Sequence, residues 1–239
     1  MLGRFHEIAL QTQDIRASVE FYERLGFSQI ETGETWTHPY GVLTDGRIFL
    51  GLHQNPFESP ALTFVHADVA RYAVELCAQG IKLAYQRTAE HEFHTIGLKD
   101  PAGQMLMVLE ARTYSPALRG PERAPLCGYF EEYSIPSSDF EQGKAFWEPL
   151  GFVATEETDV PYLHLPLTSD HLDIAFHRPR TLDQPMLVFR DRGMRERLEK
   201  LRDLDVGTWL APPRGLDCAS NAILKAPEET ALLFLEEEQ

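Results

Sequence analysis

The sequence is poor in basic residues and lacks long apolar runs, and each shortage excludes a class of protein. Its 239 residues carry 22 Lys and Arg against 37 Asp and Glu, which gives a formal net charge of -15. Nucleic-acid binding needs a basic face, so this acidic balance argues against a DNA- or RNA-binding protein. No apolar run approaches the ~20 residues needed to cross a bilayer, so we expect no membrane partner.

Cysteine and the familiar catalytic motifs are also scarce. The three cysteines, Cys77, Cys127 and Cys218, are an odd number without a metal-binding spacing. The N-terminal segment, MLGRFHEIAL, has no long apolar stretch typical of a signal peptide. Together these features predict a cytoplasmic protein with reduced thiols. The sequence has no nucleophile elbow, phosphate-binding loop, dinucleotide fingerprint or HExxH motif.

What the sequence does contain is an internal repeat. Residues 21–27 read FYERLGF, and residues 146–152 read FWEPLGF, at an offset of 125 residues. Such self-similarity indicates a duplicated unit. We predict a first domain over residues 1–113 and a second, more diverged domain over residues 126–239, joined by an exposed proline-containing linker at residues 114–125.

Each domain subdivides again into two modules. Alternating residues at 6–12 predict a strand, and Asp14 is a good N-cap for a helix that Gly26 can end. The same order restarts at Ala61, with Asp68 as the second cap. Several strands follow each helix, so we predict an α+β fold of paired βαβββ modules rather than a parallel α/β sheet.

The segments EIALQTQDIRASVEFYERLGF and DPAGQMLMVLE carry a family resemblance. The first resembles the opening module of the glyoxalase/bleomycin-resistance/dioxygenase (vicinal oxygen chelate) superfamily, and the second resembles its closing turn and strand. The resemblance covers residues 4–112 and, more weakly, residues 127–236. It implies that the modules of each domain curl their sheet into a cup, which holds a divalent metal in the enzymes of the superfamily.

The chain departs from that enzyme pattern at the metal-ligand positions. The resemblance assigns the first ligand to Glu7, but the other three positions fall on Gly51, Ala61 and Met107, which lack suitable donor atoms. The matching positions of the second domain are Glu132, Ala175, Met186 and Leu233. We therefore predict no metal and no other cofactor, and we leave open an atypical divalent site completed by water or substrate.

Polar and aromatic residues in the cups are still candidates for binding a small molecule. His53 and His177 hold matching positions, and each either pairs with the cup glutamate or ends its strand with a backbone hydrogen bond. Each of the two glutamates, Glu7 and Glu132, either recognises a cationic or hydrogen-bond-donating ligand, or is solvated or paired with an arginine. The aromatic residues stack on a ligand or pack at the rim. The candidate ligand-binding residues are Glu7, Trp36, His38, Tyr40, His53, Met107, Glu132 and His177.

Three functions remain open at this point. The first is metal-independent binding of a small molecule, of the antibiotic- or metabolite-sequestering type, in the first cup. The second is a lyase, isomerase or dioxygenase-like enzyme that uses Glu7 with His53, or an atypical metal site. The third is an interaction module, and a homodimer is possible. We expect the first cup to be the principal site, because the second domain lacks a match to Trp36 and to the DPAG turn.

Overall fold

The structure is a computed structural model that describes residues 1–31, 36–111 and 125–237. Within these ranges the chain forms two eight-stranded sheets and four α-helices. None of the described helices is long and apolar enough to cross a membrane. Most of the predicted linker at residues 114–125 lies outside the described residues, so the linker and the domain boundaries beside it stay predictions.

The first domain consists of two βαβββ modules in one sheet. The first module comprises β1 (Arg4–Gln11), α1 (Ile15–Arg24), β2 (Ser28–Ile30), β3 (Tyr40–Thr44) and β4 (Phe49–His53). The second comprises β5 (Ala61–His66), α2 (Val69–Ala78), β6 (Leu83–Arg87), β7 (Thr95–Lys99) and β8 (Met105–Glu110). The strand order is β2-β3-β4-β1-β5-β8-β7-β6, and β1 and β5 pair antiparallel at the centre.

The second domain repeats this arrangement. Its first module comprises β9 (Tyr129–Pro136), α3 (Phe140–Trp147), a 3-10 turn (Glu148–Leu150), β10 (Val153–Ala154), β11 (His164–Thr168) and β12 (Ile174–His177). Its second comprises β13 (Met186–Asp191), α4 (Met194–Arg202), β14 (Thr208–Leu210), β15 (Ala222–Lys225) and β16 (Ala231–Glu236). The strand order, β10-β11-β12-β9-β13-β16-β15-β14, matches that of the first sheet, which confirms the predicted α+β fold of tandem paired modules.

The helix ends follow the local sequence signals. The Asp14 side chain accepts a hydrogen bond from the backbone N–H of Ala17 and so caps α1. Asp139 caps α3 in the same way. Gly26 and Gly151 follow these helical segments with φ of 96° and 107°, values that favour glycine because it has no Cβ.

One face of each sheet packs into a hydrophobic cluster that contains buried side chains from both domains. Phe27 and Phe189, for example, meet edge to face with ring centroids 6.3 Å apart. The opposite face of the first sheet carries a small separate cluster around Ala9, Ala61 and Met105. This second face is the interior of the predicted cup, and we call it the first cup.

The repeated FY and FW motifs join the two domains. The Tyr22 hydroxyl donates to Oε1 of Glu228 in the second domain at 2.7 Å. In the reciprocal contact, Nε1 of Trp147 donates to Oδ2 of Asp100 in the first domain at 3.1 Å. Each first helix therefore contacts the turn before the last strand of the other domain, which fixes the two sheets relative to each other.

Candidate functional site

The four positions of the superfamily's metal ligands lie on the cup face of the first sheet. Sheet register places Glu7 opposite Thr63, and it places Gly51 and Ala61 on either side of Ala9. Met107 lies opposite Thr63 on the neighbouring strand. Because side chains alternate along a strand, all of these residues face the cup while their neighbours face the shared core.

The Glu7 carboxylate lies at the bottom of this face, with only 1% of the residue exposed. It packs directly against Gly51 on the adjacent strand. The Tyr40 hydroxyl donates to its Oε2 at 2.7 Å, and Nε2 of His53 lies 3.0 Å from its Oε1. A buried carboxylate needs such partners, because burying an unpaired charge costs several kcal/mol.

A second histidine extends this arrangement towards the cup. Nε2 of His38 lies 3.0 Å from Nδ1 of His53. A carboxylate can only accept, so two neutral rings satisfy both contacts when His53 donates to Glu7 through Nε2 and accepts from His38 through Nδ1. Burial, followed by the nearby His53, lowers the pKa of His38, which favours its neutral ring with a lone pair on Nδ1. We call Glu7, His53 and His38 the histidine relay.

The relay borders a cavity of about 570 Å³ in the first cup. His38 and His53 line this cavity, whereas Glu7 lies behind them and is not among its lining residues. The aromatic and apolar residues that line it are Trp36, Pro56, Phe57, Tyr85, Phe93, Met105, Met107 and Leu109. Its size and lining are typical of a site for a small, flat molecule.

Two exposed aromatic residues lie at this cavity, one from each module. Trp36 is 36% exposed, and its ring meets the His53 ring edge-on with centroids 5.1 Å apart. Phe93, from the loop before β7, is 62% exposed. Arg87 and Glu92, which also line the cavity, are exposed and bring charges of both signs.

The residues of the first cup do not fit the superfamily's metal. Of the four ligand positions only Glu7 has an oxygen or nitrogen donor atom, and both of its oxygens already accept hydrogen bonds. Within the described ranges, no group of three His, Cys, Asp or Glu side chains is arranged to hold a metal ion. A catalytic divalent site takes three or more protein ligands, so no reaction step is assigned to a metal here.

The second cup contains the matching residues in a different arrangement. Glu132 is 6% exposed, and no described residue hydrogen-bonds its carboxyl group. Burial, with a smaller effect from Glu131, raises its pKa to about 8. His177 binds Ser134 Oγ at 2.8 Å and the backbone carbonyl of Leu182 at 2.9 Å instead of the glutamate.

Larger apolar side chains fill the second cup. Met186 and Val188 replace Ala61 and Thr63 on the central strand, as the register of each sheet shows. The buried residues of the apolar cluster are Tyr162, Met186, Val188, Ile223, Ala231, Leu233 and Leu235. One cavity in the second domain is lined by other residues, including Arg190 and Asn221, and not by Glu132 or His177.

The structure brings six of the eight candidate residues together in the first cup and leaves Glu132 and His177 in the second. Sequence reasoning named His38 only as an aromatic residue and missed its contact with His53. It also missed Tyr85 and Phe93 as lining residues. Alternation along β6 could have indicated Tyr85, whereas Phe93 lies in a loop and carried no signal.

Residues 4–108 match the sequence model of the Glyoxalase/Bleomycin resistance protein/Dioxygenase superfamily. No curated protein sequence matches the chain. Among solved structures, a catechol 2,3-dioxygenase aligns with a TM-score of 0.57 at 18% identity, over 99% of this chain and 90% of that one.

A variant of homoprotocatechuate 2,3-dioxygenase from Brevibacterium fuscum aligns with a TM-score of 0.63 at 16% identity, over 99% of this chain and 72% of that one. At such identities the likeness shows the fold alone, which is that of tandem vicinal oxygen chelate domains. The first domain therefore matches the glyoxalase/bleomycin resistance/dioxygenase superfamily in sequence, and the whole chain shares the fold of these two dioxygenases.

Proposed function

We propose that the first cup is a metal-independent binding site of the sequestering type for a small aromatic molecule that carries a hydrogen-bond donor. The observation that carries this proposal is the histidine relay at an aromatic-walled cavity of about 570 Å³. Neutral His38 offers an acceptor to a phenol or an ammonium group. A positive charge gained there is balanced by the buried Glu7 through His53.

Matched probes test this proposal by thermal shift, because a ligand that binds only the native state raises the melting temperature. We expect 4-nitrophenol and protonated benzylamine to stabilise the protein, and 4-nitroanisole, which lacks the donor, to do so much less. The variant His38→Phe keeps a ring but removes the acceptor, and it should abolish the difference between nitrophenol and nitroanisole. Equal shifts by all probes, or none by any, would contradict the proposal.

The metal-independent part has its own test. Protein purified without chelator should contain no stoichiometric transition metal by elemental analysis, because three of the four ligand positions lack oxygen and nitrogen donor atoms. A metal that is present in the wild type and lost in Glu7→Ala would revive the atypical metal site.

His38, the relay residue farthest from Glu7, also favours a second candidate function, that of an enzyme of the lyase or isomerase class. A neutral His38 can accept a proton from a bound molecule, while its Nε2 proton moves towards His53 and the next proton towards Glu7. A bound carbon acid should then exchange hydrogen for deuterium in D₂O with the wild type and not with His38→Phe. Binding without exchange in either protein would leave sequestration as the function.

A further inference from the structure

We infer that Gly51 is the positioning residue that assembles the histidine relay, by leaving the space that the Glu7 carboxylate occupies; the equivalent position in the second cup is Ala175. This inference rests on the proposed function, because it identifies what holds the polar end of the site in place. It assigns a role to a position that otherwise only lacks a metal ligand.

The evidence begins with the space around Gly51. A Cβ atom on residue 51 would lie 2.5 Å or less from Cδ, Oε1 and Oε2 of Glu7. Packed atoms do not approach that closely, so an alanine and the present Glu7 conformation exclude each other. Moving Glu7 aside would cost free energy of folding, because Tyr40 and His53 would lose their hydrogen bonds to its carboxylate.

Backbone conformation does not explain the glycine. Gly51 does not have a positive φ, and it lies within the regular pairing of β4 with β1 and β3. A glycine inside a strand costs roughly 0.5–1 kcal/mol relative to alanine, which requires some compensation. Close approach of another group is the usual reason for such a glycine, and the Glu7 carboxylate is the group that approaches.

The second cup shows the arrangement with the methyl group present. Ala175 lies opposite Ser134 on β9, as Gly51 lies opposite Ala9 on β1, so the two positions are equivalent. With a Cβ there, the Glu132 carboxyl has no hydrogen-bond partner among the described residues. His177 is correspondingly bound to Ser134 and to the backbone.

The test compares Gly51→Ala with the matched variant Ala175→Gly. The first readout is ¹⁵N NMR of the histidine ring nitrogens in the ligand-free protein. The wild type should show His53 in one tautomer with its proton on Nε2, and Gly51→Ala should lose that preference. The second readout is 4-nitrophenol affinity, which we expect to fall at least tenfold in Gly51→Ala and to stay unchanged in Ala175→Gly.

A double variant keeps the inference testable if Gly51→Ala folds poorly. Adding Glu7→Asp shortens the carboxylate by one methylene and removes the overlap, so it should raise the melting temperature above that of Gly51→Ala without restoring the tautomer. Poor folding of both variants would place the clash elsewhere and overturn the inference, as would an unchanged tautomer in Gly51→Ala. If the wild type binds no probe while the NMR result is as expected, the proposed function fails and the role of Gly51 stands.

Discussion

The two cups carry a buried glutamate at the same position, but the two carboxyl groups differ in their hydrogen bonding. In the first cup, Glu7 accepts hydrogen bonds from Tyr40 and His53 beside an open cavity. In the second cup, Glu132 has no hydrogen-bond partner among the described residues, and burial raises its pKa to about 8. One carboxylate is held as part of a polar group, whereas the other favours its neutral form.

The replacement of Tyr40 by His164 at the equivalent position of the second cup contributes to this difference. The register of each sheet pairs Tyr40 with His53 and His164 with His177, so the hydroxyl donor of the first cup is an imidazole in the second. That imidazole binds the backbone carbonyl of Tyr162 at 2.8 Å. The comparison teaches that a duplicated carboxylate keeps its role only where the neighbouring strands keep its partners.

The largest expected effect concerns Glu132, whose carboxyl group has no hydrogen-bond partner among the described residues. A folded pKa of about 8, against 4.5 for the ordinary group, means that the folded state binds more protons, so stability falls as pH rises through this window. Relative to Glu132→Gln, the wild type should lose up to about 5 kcal/mol of unfolding free energy between pH 4.5 and 9. Urea unfolding at several pH values measures this loss.

The exposed Glu156 provides the control for that measurement. The variant Glu156→Gln should keep the wild-type pH dependence. If Glu132→Gln also kept it, the second cup would hold its carboxylate as the first cup does, and the contrast between the cups would disappear.

The next effect appears in acid and concerns His177. Burial lowers its pKa from 6.5 to about 4, so its neutral form stabilises the folded state above pH 6.5. This stability is lost as pH falls towards 4, by roughly 3 kcal/mol relative to His177→Gln. Chemical denaturation between pH 7 and 4 tests it, with the exposed His171→Gln as control. Parallel pH curves for wild type and His177→Gln would refute a buried neutral imidazole.

A smaller effect is expected from the hydroxyl that holds Glu7. Tyr40→Phe removes one donor to a buried carboxylate and should cost about 1.5–3 kcal/mol of unfolding free energy. Tyr129→Phe, at an exposed ring that Arg47 covers, should cost close to nothing. In a double-mutant cycle, Glu7→Gln and Tyr40→Phe should be strongly non-additive, and additive costs would show that the hydrogen bond contributes little.

The smallest effect separates the rims of the two cups. Trp36→Ala should weaken 4-nitrophenol binding about fivefold, since an aromatic contact contributes roughly 1 kcal/mol. Val160, which precedes His164 by the same four residues as Trp36 precedes Tyr40, is the matched position. Isothermal titration should give Val160→Ala wild-type affinity, and an equal loss in both variants would argue for binding in both cups.

Much of this protein follows from its sequence alone. Duplication, module order and helix limits depend on local signals such as the Asp14 cap, the Gly26 stop and strand alternation, which act over a few residues. The same signals place Glu7 and Gly51 on one face of a sheet. They do not determine the distances between side chains on neighbouring strands.

Only the tertiary structure decided which side chains touch. Pairing of β3 with β4 brings Tyr40 beside His53, and the preceding loop brings His38 onto the same ring, which no periodicity indicates. The contact of Tyr22 with Glu228 spans 206 residues and depends on how the two sheets pack. Sequence patterns record which face a residue prefers, whereas contacts between strands depend on register, loop length and the steric effect of a single methyl group.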